Sequence, residues 1–117
     1  MSLLRAWLVA FGLTLAIETP IASAFYRRVE PDTARRLGLI FFANLATHPA
    51  VWFLFPRLPL AYKWQVVLAE LWAFGLEIVF YSIAFPGDKR RAASAAIIAN
   101  AASLAFGYLW LYVFGSF

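Results

Sequence analysis

The chain has 117 residues, 64% of them hydrophobic and 14% charged, with a mean hydropathy of +0.77. An ordinary soluble domain is about 45–50% apolar and about 25% charged, so a water-soluble core of this size cannot hide so much apolar surface. The formal net charge of +4 sits in short basic clusters at the edges of apolar runs, which fits membrane topology and not a nucleic-acid surface; the absence of cysteine excludes disulfides, thiolate metal sites and cysteine nucleophiles.

Four apolar stretches are near the ~20 residues a helix needs to cross the hydrocarbon. They predict spans at about 3–26, 37–55, 64–85 and 92–117 within one domain, 1–117. The connections RRVEPDTARR, PRLPLAYK and PGDKRR are short, which makes neighbouring helices antiparallel and the architecture an all-α, polytopic four-helix bundle. The first stretch also looks like a secretion signal, with Ala22-Ser23-Ala24 at its end. Its downstream flank (Arg27, Arg28, Arg35, Arg36) is far more basic than its upstream one (Arg5), which favours a retained span. Those four arginines, with Lys89, Arg90 and Arg91, place seven of the ten basic residues on the side of loops one and three. That side is expected to be cytoplasmic and both termini periplasmic, with Trp7, Trp52, Tyr62, Trp64, Tyr108, Trp110 and Tyr112 in an outer aromatic belt.

An internal repeat is visible. "RRLGLIFFANLAT" (35–47) and "RRAASAAIIANAAS" (90–103) share Arg-Arg, an apolar turn, two bulky apolar residues, Ala-Asn-x-Ala, and Thr or Ser. A glutamate lies on the helix before each. Glu18 thus corresponds to Glu77, Asn44 to Asn100 and Thr47 to Ser103, as in two helical hairpins related by an axis along the membrane normal. At ~1.5 Å per residue, Glu18, Asn44, Glu77 and Asn100 fall within roughly 3–6 Å of the bilayer centre. His48 and Glu70 lie just outside that layer. Asn44, Thr47 and His48 share a face by helical spacing, as do Glu70, Glu77 and Tyr81.

Charge in hydrocarbon costs roughly 2.5–3.5 kcal/mol per group on insertion scales, and no Lys or Arg lies at this depth to pair the glutamates. Protonation, a shared proton or a bound cation remains. Glu18 and Glu77 are expected to approach each other, with the amides of Asn44 and Asn100 donating to them and His48 beside Glu70. Glu18, His48, Glu70 and Glu77 together form a possible metal set. Pro20 and Pro49 each free a carbonyl, at Ala16 and Leu45, and predict either plain kinks or partly unwound helices at the polar layer. Ala95, Ala99, Ser103 and Gly107 form a small-residue ladder suited to close packing of the last helix.

The order "ETP", "NLATHP", "ELWAFGLEIVFY" and "SAAIIANAAS" with a following Gly resembles a family of short, four-span bacterial membrane proteins. That resemblance implies a bacterial inner-membrane location and makes the polar layer the family's centre. It carries no assigned activity. Three function classes therefore stand open. One is a cation- or proton-linked transport or channel component. The second is an accessory subunit of a larger membrane complex, its polar layer serving only registry. The third is an intramembrane enzyme, metal-dependent or glutamate-based, although the chain has one histidine and neither HExxH nor GxSxG. Four helices rarely enclose a full pathway, so a homo-oligomer or a larger membrane complex within the lipid bilayer is expected. No nucleic-acid partner is expected.

Overall fold

The computed structural model describes residues 2–117. It is all-helical, with four helices long and apolar enough to span a membrane and no strand among the described residues. These are α1 (Leu3–Tyr26), α2 (Thr33–Phe53), α3 (Tyr62–Ala84) and α4 (Lys89–Phe114), with a 3-10 turn at Phe55–Arg57 between α2 and α3.

The caps explain where these helices depart from the apolar runs. Asp32 accepts from the Arg35 backbone N–H at 3.3 Å, and Asp88 accepts from that of Arg91 at 2.8 Å. Each carboxylate satisfies an orphan N–H at a helix start. Thus α2 begins at Thr33 instead of 37 and α4 at Lys89 instead of 92, and the arginine pairs ride on helix. Positive charge is unfavourable at a helix N-terminus. Helix stability therefore does not explain the place of these arginines. α3 stops at Phe85, whose extended backbone precedes Pro86. α4 stops at Phe114 instead of 117, because Gly115 turns left-handed with φ 77° and returns its N–H to the Leu111 carbonyl at 2.8 Å. α2 ends at Phe53, and Gln65 secures the following turn through the Pro56 and Leu58 carbonyls at 3.2 and 3.0 Å. Pro20 and Pro49 both lie inside unbroken helices, so no unwound segment forms at the polar layer.

The helices stand at the corners of a square in chain order. α1 packs on α2 and α4, and α3 packs on the same two, whereas the backbones of the diagonal pairs stay apart and only long side chains meet between them. Short antiparallel connections dictate that arrangement. At the end carrying loops one and three the bundle is solid. There Ala22, Tyr26, Ile40, Tyr81, Phe85, Ala92, Ala95 and Ala96 form the core. Tyr26 stacks on Phe85 across the diagonal, with ring centroids 4.1 Å apart and planes 16° from parallel. Alanines on α4 leave room for these rings, so large and small residues interlock.

Burial falls on one face of each helix. On α1 the buried positions include Ala10, Glu18, Ala22 and Tyr26; on α3 and its end they include Ala69, Glu77, Tyr81 and Phe85. On α2 they are Arg36, Ile40, Ala43, Asn44 and Thr47. On α4, Ala92, Ala96, Ala99 and Asn100 are buried, and Ser103 is half-buried. The small-residue ladder serves packing only in its lower half. Ala95 and Ala99 are fully buried, but a methyl group on Gly107 would meet nothing nearer than the Phe117 ring at 3.9 Å. The upper half of α4 stands away because a cavity lies there.

Candidate functional site: a buried carboxylate layer

Above the solid end, the four helices enclose a cavity of about 500 Å³ that opens toward the termini. Its floor carries Glu18, Asn44, Thr47, Glu77, Asn100 and Ser103, and its mouth is formed by residues such as Leu3, Arg57, Tyr62 and Phe117. Glu18, Asn44 and Glu77 are each only 1% exposed.

The hydrogen bonds join the helices one after another. Ser103 Oγ on α4 donates to Glu18 Oε1 on α1 at 2.6 Å. Asn100 Nδ2 on α4 donates to Glu77 Oε2 on α3, and also to the Ala96 carbonyl of its own helix at 2.8 Å. Thr47 Oγ1 on α2 lies 3.2 Å from Glu77 Oε1, and its proton can alternatively serve the Ala43 or Asn44 carbonyl at 3.2 and 3.3 Å. Glu77 thus has a neutral donor on each oxygen. Glu18 has one donor, and its Oε2 is buried with no hydrogen-bond partner. Glu77 and Glu70 are within electrostatic reach of Glu18. A buried carboxylate oxygen without a partner forfeits solvation worth more than a neutral hydrogen bond returns. Glu18 Oε2 therefore requires a proton, a water or a cationic guest.

Of the expected donors, Asn100 reaches a carboxylate and Asn44 does not. Asn44 Nδ2 donates to the Ile40 carbonyl one turn back, at 3.0 Å. The junction of α1 and α2, where Asn44 would meet Glu18, is where the ring of hydrogen bonds is open. The expected approach of Glu18 to Glu77 takes an indirect form, bridged through the Ser103 and Asn100 side chains of α4.

His48 is not hydrogen-bonded to Glu70. Its Nδ1 accepts from Trp7 Nε1 at 3.0 Å, and its Nε2 lies 3.2 Å from Thr14 Oγ1. Consecutive helix residues point about 100° apart, so with Thr47 aimed at α3, His48 turns to α1. An indole N–H only donates, which makes Nδ1 an acceptor and leaves the ring proton on Nε2, facing Thr14. The ring is further enclosed by Phe11 and Trp52. Among the described residues no three of His, Cys, Asp and Glu converge to hold a metal ion. The possible metal set of Glu18, His48, Glu70 and Glu77 is thus not assembled, because His48 spends both nitrogens on α1. Glu70 is half-buried on the cavity wall and makes no side-chain hydrogen bond among the described residues.

Trp7 and Thr14 join the site without having been singled out for it by sequence, whereas Tyr81 shares the face of Glu70 and Glu77 by its spacing. Thr14 lies one turn before Glu18 on the same face, a signal that was present. Trp7 reads as interfacial belt, and nothing in its spacing marks a histidine partner. Tyr81 is fully buried, and its hydroxyl, like Glu18 Oε2, has no partner.

Comparison with known proteins finds no matching family model, no matching curated protein and no matching solved structure. The functional reading therefore rests on this geometry alone.

Proposed function

We propose that the protein is a cation- or proton-linked transport component of the bacterial inner membrane, with Glu18 and Glu77 as its ion-handling pair. The observation that carries this reading is Glu18, which lines the floor of a cavity open to one face and whose Oε2 is buried without a hydrogen-bond partner. A layer serving registry alone would have its acceptors satisfied by the protein, as Glu77 has. Among the described residues no ligand set is assembled for an enzyme of the metal-dependent kind.

The repeat belongs to the same proposal. Thr47 to Glu77 and Ser103 to Glu18 are the same contact under the correspondence of the two hairpins, and both asparagines bond the carbonyl four residues back. The contact that lacks its counterpart is Asn44 to Glu18. One half of the pseudo-symmetric pair is closed and the other open, as suits a site that exchanges a charge. A homo-oligomer supplies the rest of a path that four helices closed at one end do not provide.

The test is flux in reconstituted vesicles under an imposed membrane potential, read by a pH-sensitive or cation-sensitive dye inside. Wild-type protein should carry charge, and Glu18→Gln and Glu77→Gln should each abolish it while eluting as folded bundles. Gln keeps the shape and removes the titrating group. Equal flux in wild type and both variants would end the reading.

Orientation is part of the proposal. Loops one and three hold seven of the ten basic residues, so they should face the cytoplasm and the cavity the periplasm. A reporter fused after Phe117 should read as periplasmic. A cytoplasmic signal there would reverse the access side.

A further inference from the structure

We propose that the cavity is the binding site of an organic amine, an ammonium head with an apolar body, whose N–H donates to Glu18 Oε2. This rests on the functional reading above and names its substrate class.

The choice between inorganic and organic cations follows from the number of free acceptors. A hard inorganic cation stripped of water takes six or more oxygen ligands. Both Glu77 oxygens and Glu18 Oε1 already accept from Asn100, Thr47 and Ser103, which leaves Glu18 Oε2 on the floor and the two Glu70 oxygens on the wall, fewer than such an ion needs. An ammonium head needs only a few acceptors. The remainder of such a molecule needs apolar surface, and the walls provide it through Leu13, Ile17, Val66 and Leu104, with Trp52 and Phe106 able to face a cation with their rings. About 500 Å³ is within the range of pockets that hold drug-sized molecules.

Charge points the same way. Glu18, Glu70 and Glu77 line the cavity, and among the described residues its only Lys or Arg is Arg57 at the mouth. His48 contributes no positive charge while Trp7 holds its Nδ1 as an acceptor. An anionic guest would meet three carboxylates. A neutral hydroxyl could donate to Glu18 Oε2 but would not offset the carboxylate charge.

The experiment is titration of the protein in nanodiscs with phenethylamine, phenethyl alcohol and phenylacetate, followed by calorimetry and by Trp fluorescence. Phenethylamine should bind, the alcohol should bind at least tenfold more weakly, and phenylacetate should not bind. Glu18→Gln should weaken the amine tenfold or more without changing the alcohol, since a hydrogen bond to a charged group is lost. Ser103 can still donate to the Gln oxygen, so the fold is retained. Ile83→Ala, on a side chain 82% exposed to the lipid side, should bind as wild type. Equal affinity for amine and alcohol, or amine binding unchanged in Glu18→Gln, would overturn the proposal. If either occurs while Glu18-dependent and Glu77-dependent flux persists in vesicles, only the substrate class falls. If flux is absent too, the functional reading falls with it.

Discussion

Asn100→Leu should be the most damaging single substitution in the polar layer, lowering stability by about 1–3 kcal/mol as measured by denaturation in mixed detergent micelles. The loss has a specific origin. Leucine matches the amide in volume, so packing against Ala96 and Ala99 changes little. What goes is the donor on Glu77 Oε2, leaving a buried carboxylate oxygen without a partner on a helix where only Thr47 still donates. Membrane hydrogen bonds between neutral groups average only ~0.6 kcal/mol in double-mutant cycles, and a charged acceptor raises the figure. The decisive arm is the double variant Glu77→Met with Asn100→Leu. Removing both partners leaves no orphan, and Thr47 falls back on the Ala43 carbonyl at 3.2 Å. The double variant should therefore recover most of the lost stability while remaining inactive in flux. Stability that falls further in the double variant would mean that Asn100 acts through packing and not through Glu77.

Much of this architecture was legible in the sequence because the bilayer imposes it. Spans of ~20 apolar residues and short polar connections leave few ways to arrange four helices. Glu18, Asn44, Glu77 and Asn100 also come to one level of the bundle, since level depends only on distance along a helix. The identity of each partner did not follow, because that depends on rotation about the helix axis. Thr47 and His48 are adjacent in sequence, yet one serves Glu77 on α3 and the other Trp7 and Thr14 on α1. Asn44 and Asn100 sit in near-identical sequence, yet only Asn100 reaches a carboxylate. Helix ends were misplaced where hydropathy and capping disagree. Asp32 and Asp88 extend α2 and α4 into the polar interface, beyond anything an apolar count can see. The aromatic lock at the closed end was also hidden. Tyr26 and Phe85 lie at span ends, where aromatic residues ordinarily meet headgroups.

That aromatic lock sets the second large effect. Tyr26, Tyr81 and Phe85 fill the space between the carboxylate layer and the face carrying loops one and three. Phe85→Ala removes the ring that stacks on Tyr26 at 4.1 Å and leaves a void beside Tyr81. In a soluble core Phe→Ala costs about 3–5 kcal/mol, part of it transfer from water. In a bilayer the unfolded helices still sit in hydrocarbon, so mainly the packing loss remains, and about 2 kcal/mol is expected. The functional consequence should be larger than the structural one. With the lock gone, the floor of the cavity is connected to the opposite face, and a cup becomes a leak. Vesicles carrying Phe85→Ala should dissipate an imposed proton gradient several-fold faster than wild type. Tyr26→Phe keeps the stacked ring and should stay as tight as wild type. Adding Glu77→Gln to Phe85→Ala should suppress the leak if protons cross by way of the carboxylate layer. Tight vesicles from a folded Phe85→Ala variant would show that the seal lies elsewhere. A leak indifferent to Glu77 would show that ions bypass the layer altogether.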